Sequence, residues 1–429
     1  MATVTVALVD EFLKTQFYPG DRLQDLSLKA AVSPLYRLIN KNPGLGGEQL
    51  KVPIKYGGSP SGSADFATAQ SQSGAPPADA FYFLCKARGS SGHMATDYSC
   101  VTLDGILFRV GVSDEHAFYS QIDSNVKEQW EKQSKRRAMQ LYRSYHGYFG
   151  SIHATCTIAS TALLWGYRGE ARMADKGDQI QIAEDTTHTL RAATALTISA
   201  MGRQTNPAGS TVSANVDLGG GAAVAVGDRI LFKGDLGMTM YGLEDQFPSG
   251  TPAALYGVTR TTDRTRLAGW PVDCSAKDVL TALIDGIHLL GEEGAVELTG
   301  FLPPETYKTA VELIRASSFY SLKEVTKQAI RADGNKSGTV SVSGFSIDGP
   351  YGPVEIYSDP FCPPQTGWLL EMDRLTLYTA GEDPGVLKED GLTLLRAATA
   401  DVYEIRVGGY PGLICDGPGH CAQLYNLAP

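Results

Sequence analysis

The chain has 429 residues, 43% of them hydrophobic, with 47 glycines, 22 prolines and a formal charge of −10, which is enough apolar content to bury a core spread over two or three domains. Disorder is excluded by that content, and the negative balance argues against a protein that grips nucleic acid by its phosphates, which needs positive charge gathered on one face. No run of 18 apolar residues occurs, and Asp10 and Glu11 stand where a signal peptide would be apolar, so a cytosolic chain without membrane contact is expected.

The first fifty residues run from an apolar stretch, Val4 to Val9, through a turn at Tyr18-Pro19-Gly20 to a segment from Leu23 to Ile39. They read as an arm rather than as core. Leu50 to Tyr56 then alternates like a strand, the residues up to Ala78 are nearly all Gly, Ser, Ala, Gln and Pro, and strand character returns at Phe81 to Leu84 and at Val101 to Val110. This pattern predicts a β-hairpin with a long flexible tip over residues 51–110. Because a lone hairpin is marginal in water, it is expected to lie on a neighbouring copy, with Tyr56, Phe66, Phe81 and Phe83 as its inter-subunit contacts.

From Ser113 to Phe149 apolar residues recur at helical spacing (Phe118, Ile122, Val126, Trp130, Ala138, Leu141, Tyr145, Tyr148), with no Pro or Gly before Gly147. About 34 residues at 1.5 Å each make a rod of ~50 Å, a scaffold or inter-subunit spine. Glu128 with Lys132 and Glu131 with Lys135 have the spacing of helical ion pairs, and the basic turn Lys135-Arg136-Arg137 is expected on a solvated face. Strand-and-turn sequence follows: Asp178 to Ala183, Thr189 to Ser199, Val224 to Lys233 and Leu255 to Arg260, read as a β-module inserted over residues 170–269. Ser275 and Asp278 resemble a capping box ahead of the stripe Val279, Leu280, Leu283, Ile284, Ile287, Leu290, and Pro304 suits the first turn of a second helix. Thr339 to Ile347, Val354 to Tyr357, Trp368 to Glu371 and Leu375 to Tyr378 read as an antiparallel sheet, and Thr399 to Val407 and Gly412 to Leu427 add further strands. The overall class is α+β.

No catalytic constellation emerges. Gly57 to Gly62 reads GGSPSG, with Pro60 where a hydrolase nucleophile would stand, and Asn335 to Thr339 lacks the glycines of a phosphate loop. The Gly219 to Gly221 triplet lacks dinucleotide spacing. His153 with Cys156, and Cys415 with His420 and Cys421, are the local metal candidates, and neither has the second pair zinc needs. The seven scattered cysteines (85, 100, 156, 274, 362, 415, 421) read as reduced, mostly buried thiols. A structural or binding protein is expected, with no enzyme activity, cofactor or metal.

Ser33-Pro34-Leu35-Tyr36 followed by Val52-Pro53-Ile54, and Gly352 to Ile356 followed by Asp359-Pro360, Gly367 to Leu370 and Leu375 to Tyr378, complete an order of parts that resembles the major capsid proteins of tailed bacteriophages, the Hong Kong 97-like fold. The resemblance spans nearly the whole chain. It implies an N-terminal arm (1–50), an extended β-hairpin arm (51–110), a peripheral domain with a spine helix (111–169), the inserted β-module (170–269), an axial domain (270–380) and a return to the peripheral domain (381–429). It further implies a shell subunit of a virion head, assembled in the host cytoplasm into hexamers and pentamers around double-stranded DNA held by weak, non-specific contact. The implied protein partners are a portal, a separate scaffolding protein and a decoration protein. An encapsulin-like nanocompartment and a cytosolic β-rich carbohydrate-binding or carbohydrate-active protein are the alternatives; the latter predicts a monomer or small oligomer.

Overall fold

The computed structural model describes residues 29–428 except 91, 105–114, 154–161, 192–194, 202–212, 217–223, 317–325, 331–335, 342–343, 388–394 and 397–400. The apolar stretch Val4 to Val9 and the glycine triplet at 219–221 therefore lie outside the described residues.

The spine helix runs Glu115–Tyr142, 28 residues or about 42 Å, and so ends about two turns earlier than the apolar spacing suggested. Its stop is steric and polar at once. Gly242 lies so close beneath the last turn that a Cβ there would stand 2.2 Å from the Arg143 carbonyl and 2.4 Å from that of Gln140. Asp245 accepts hydrogen bonds from the Tyr145 amide at 2.6 Å and the Ser144 hydroxyl at 2.9 Å. Gly147, at φ 78°, then reverses the chain. Tyr145 thus sits in a turn, and Tyr148 opens a strand, Tyr148–Ser151.

That strand starts a six-stranded antiparallel sheet in the order Tyr148–Ser151, Arg229–Phe232, Gln179–Ala183, Leu196–Met201, Ser213–Val216, Ala162–Leu164. Its two ends meet: Ile152 bridges Trp165, the His153 amide donates to the Leu164 carbonyl at 3.0 Å, and the Gly166 amide donates to that of Ser151 at 2.7 Å. The expected β-module is therefore a small closed barrel, and closure removes the sheet edges that would invite strand addition. Alternation sends Phe149, Ile180, Ile182, Ile230 and Phe232 inward, all buried, with Trp165 packed 5.4 Å from Phe149. The barrel begins at Tyr148, before the expected boundary at residue 170. Residues 243–268 leave it as two short helices, Leu243–Gln246 and Arg264–Ala268, joined by loops, and the strand expected at Leu255 to Arg260 reduces to a single bridge between Leu255 and Val258.

A second core surrounds the axial sheet, ordered Trp270–Asp273, Ala422–Tyr425, Thr366–Glu371, Leu298–Leu302, Gly352–Ser358, Gly344–Gly349. Both predicted helices are present, Val279–Glu292 and Pro304–Ala316; Asp278, not Ser275, is the N-cap residue of the first. The first helix packs on the sheet so tightly that a Cβ at Gly286 would lie 2.7 Å from Leu369. The sheet is mixed rather than antiparallel: Leu298–Leu302 runs parallel to Gly352–Ser358, and Trp270–Asp273 parallel to Ala422–Tyr425. Parallel pairs need long crossovers. The helix Pro304–Ala316 lies in the first of them, and the chain's last strand, far from Trp270 in sequence, supplies the second.

Around the spine, Asp97–Asp104 pairs with Val402–Gly409, which also carries Gly385–Val386 and Leu395–Arg396. Asn40–Asn42 runs beside Leu375–Thr379, itself paired with Pro411–Cys415. Of the described part of the first fifty residues, 30–39 contribute to the core, with Ala30, Leu35 and Ile39 at 4%, 0% and 4% exposed, while 40–50 are mostly exposed. Ser33 caps the short helix Pro34–Leu38 and turns its apolar residues inward.

Candidate assembly site: the hairpin arm and the spine

The arm is the antiparallel pair Gln49–Lys55 and Ala78–Leu84, with Val52 opposite Phe81 and Lys55 opposite Ala78. Between them, residues 56–77 project with nearly every side chain exposed and form one short helix, Phe66–Ser71, whose N-cap Asp65 accepts from the Thr68 amide at 2.9 Å. Phe66 is 80% exposed at the tip, an apolar ring that no described residue covers. Tyr56 is half-buried at the root, and Arg266 donates to its carbonyl at 2.8 Å.

Phe81 and Phe83 are elsewhere. They are 1% and 0% exposed, packed with Leu255, Tyr256, Val258, Leu267 and Ile414, so both expected inter-subunit contacts belong to the chain's own core. The reason is the period of a strand: Phe81 and Phe83 share the inward face, while Tyr82, 38% exposed, faces out. The segment that covers them arrives from residues 255–258. The strand expected to continue the arm at Val101 to Val110 is Asp97–Asp104 in a different sheet, and residues 105–110 lie outside the described set.

The root of the arm is fixed to the end of the spine by an aromatic clamp. The Arg88 guanidinium lies between the rings of Tyr145, at 4.2 Å, and Tyr241, at 4.0 Å, and its Nε donates to the Gly237 carbonyl at 3.0 Å. His93 packs beside it, 4.9 Å from Tyr256 and 5.8 Å from Phe83. Beneath, burial pushes the Asp245 carboxyl up to about 7 against the hydrogen bonds from Tyr145 and Ser144.

The basic turn of the spine is not on a solvated face. Lys135 and Arg137 are 6% and 1% exposed. Arg136 grips Asp97 at 3.1 Å and Asp235 at 2.8 Å; Arg137 makes a two-pronged bond to Asp383 at 2.7 and 2.6 Å and donates to Gln140 at 2.6 Å. Burial disfavours both charges, yet Asp235 and Asp97 hold Arg136 above its ordinary range, as Asp383 and Asp97 hold Arg137. The expected helical pairs are replaced by longer-range ones: Lys132 binds Asp178 and Lys135 binds Asp175, both at 2.7 Å, while Glu131 takes Lys29 at 2.9 Å. The carboxylates come from four other segments, which helical spacing cannot reveal.

A second hub joins the two phrases that carried the resemblance. Buried Asp359 accepts from the Ser33 hydroxyl at 2.5 Å, the Tyr142 hydroxyl at 2.8 Å and the Phe361 amide at 2.9 Å. Burial raises its carboxyl above the ordinary range against those donors. One side chain thereby ties the N-terminal segment, the end of the spine and the axial sheet.

Among the described residues no three His, Cys, Asp or Glu side chains group where a metal could sit. His420 is engaged with Glu371 at 2.5 Å, Cys415 and Cys421 are buried, Cys85 is half-buried and Cys100 exposed. No described helix is long and apolar enough to cross a membrane.

No family model and no curated protein sequence matches the chain. Solved structures do. The capsid of cyanophage A-1(L) aligns over 98% of this chain and 98% of its own at 9% identity, with a TM-score of 0.54. The capsid of the native GTA particle covers 99% and 100% at 10% identity and 0.45, and the encapsulin SrpI of Synechococcus elongatus PCC 7942 covers 98% and 95% at 10% and 0.46. On the first of these the chain has the Hong Kong 97-like capsid fold expected from its sequence, an α+β architecture matched end to end.

Proposed function

We propose that this chain is the major capsid protein of a tailed bacteriophage: a shell subunit that self-assembles through its arm into hexamers and pentamers enclosing double-stranded DNA. The observation that carries the reading is a capsid-type fold over the full chain whose projecting arm holds an 80%-exposed Phe66 on a root clamped through Arg88. Its role is structural rather than catalytic. Heterologous contacts that close into rings require the same patch to meet a different patch on the next copy, and a tip anchored at one end only suits that geometry. Tyr56 and Phe66 remain the proposed inter-subunit contacts. Many such contacts, each weak, sum over a shell. The net charge of −10 favours loose contact with packaged DNA. In this reading the division into arm, spine-bearing peripheral domain, barrel and axial domain has its usual roles, the subunit is assembled in the host cytoplasm, and a portal, a separate scaffolding protein and a decoration protein are its partners.

Negative-stain microscopy of the expressed chain, alone and with its scaffold, is the test. Closed shells containing nucleic acid are expected after packaging. Shells that enclose only protein would move the reading to a nanocompartment, and small discrete oligomers under every condition would sink both.

A further inference from the structure

The last residue of the arm, Leu84, is held by an unusual partner. In the hairpin register the Cys85 amide donates to the Glu48 carbonyl at 2.9 Å, so the polar groups of Leu84 point to the other edge. There the Leu84 amide donates to the Nδ1 of His93 at 3.0 Å, and the His93 amide donates to the Leu84 carbonyl at 3.1 Å. One histidine thus satisfies both backbone groups of Leu84, with its ring where a third strand would be. An imidazole that accepts at Nδ1 is neutral and carries its proton on Nε2.

We propose that His93 is a proton-sensitive clamp on the root of the arm: the neutral ring holds Leu84 and fixes the arm's angle, and protonation at Nδ1 ends that bond and frees the root. The step is a simple protonation, a solvent proton taken up on the Nδ1 lone pair that had accepted the amide. Burial among the surrounding groups, and the charge of Arg88, disfavour a charged ring. On its own loop stands Arg88, permanently cationic; from the segment 241–256 come the rings of Tyr241 and Tyr256, and from the arm that of Phe83. Across the junction, Asp245 is occupied by Tyr145 and Ser144. Lys86 on the same loop is engaged by Glu48 at 2.5 Å. Burial and Arg88 both lower the ring's affinity for a proton, and the backbone of Tyr82, next along the same edge, acts the other way. That carbonyl is the acceptor to which a protonated ring would turn, away from Leu84. The consequence for assembly rests on the shell reading, because only there does the angle of the arm set how copies meet; the clamp itself does not.

The experiment is hydrogen–deuterium exchange of the full-length chain, followed on peptides covering the arm and residues 85–94, at neutral pH and below the ordinary histidine range, against His93→Asn and His93→Phe at the same pH values. Asparagine keeps an acceptor at the position of Nδ1 and cannot be protonated; phenylalanine keeps the ring and has no acceptor. Arm exchange in the parent chain is expected to rise about fivefold to tenfold in acid, the equivalent of one lost hydrogen bond, after the intrinsic effect of pH is removed. His93→Asn should stay slow at both pH values and His93→Phe fast at both. Equal acid acceleration in the parent and in His93→Asn, or none in the parent, overturns the proposal. The readout needs no shell, so a chain that forms only small oligomers yet loosens its arm through His93 would refute the capsid reading alone.

Discussion

Arg137→Met is the sharpest test of how the spine is held. The side chain is 1% exposed, and so is that of its partner Asp383. The substitution keeps the volume and removes two charge-assisted bonds to Asp383 and one to Gln140, leaving a carboxylate inside with no countercharge from Arg137. Breaking a buried pair in this way costs about 3–5 kcal/mol, against a total stability of about 5–15 kcal/mol for a domain. For a unit of 150–250 residues that is a fall of roughly 6–20 °C in Tm. Replacing both partners, Arg137→Met with Asp383→Leu, removes the stranded charge and should recover about 1–4 kcal/mol of the loss. Urea and thermal unfolding followed by far-UV circular dichroism give both numbers. A single variant that loses under about 1 kcal/mol, or a double variant that loses the sum of its parts, would refute the claim that this turn is a buried anchor.

Phe66→Ser should leave unfolding unchanged within about 0.5 kcal/mol, since the ring is 80% exposed, while weakening self-association by about 2 kcal/mol per contact if the ring is an interface anchor; light scattering against concentration separates the two. Gly412→Ala would place a Cβ 2.1 Å from the Phe83 ring and should cost about 1–3 kcal/mol by overpacking, a loss that Phe83→Leu partly restores in the double variant. Burial and the stacked His188 ring, 3.9 Å away, drive His146 down to about 4. The unfolded chain therefore binds more protons between its ordinary 6.5 and that value, so this contribution is complete above 6.5 and is lost as the pH falls toward 4; His146→Phe should flatten that slope in pH-dependent unfolding. Asp245, raised from 3.8 to about 7 by burial, has the opposite sign, its contribution being complete below 3.8 and lost as the pH rises through 7, and Asp245→Asn should remove the loss between those two values.

What could be read from the sequence was whatever a local period decides. The axial helices announced themselves by apolar stripes and by Pro304 in the first turn of the second; the arm's first strand and its polar tip followed from alternation and composition. What could not be read was closure over distance. Phe81 and Phe83 look like a sticky exposed strand until Tyr256 and Val258 arrive to cover them, and the β-module looks open until Ile152 meets Trp165. The mixed axial sheet depends on the last strand of the chain pairing with Trp270–Asp273. The basic turn is the clearest case. Charge at helical spacing signals solvent unless carboxylates come from elsewhere, and Asp97, Asp235 and Asp383 come from segments that no local window contains.

Those three carboxylates also fix the C-terminal half of the helix. Its described residues divide: exposed from Lys127 to Lys132, apart from half-buried Gln129, and mostly buried from Gln133 to Arg143. The buried half binds Asp97 on the strand beside Val402–Gly409, Asp235 just beyond the barrel and Asp383 ahead of the returning strands, and through Tyr142 it reaches Asp359 and the N-terminal segment. The arm is clamped to the turn that follows, where Tyr145 faces Arg88. A buried ion pair is weak evidence for net stability, because a hydrophobic replacement often does as well; what it specifies is geometry. Two successive arginines with three separate acids admit one register of sheet, barrel and return loop on the helix, and a slip of one residue would strand several charges at once. Arm, barrel and axial sheet are thereby referred to one point, the C-terminal end of the spine. The root of the arm meets that same point through Arg88 and Tyr145, beside His93.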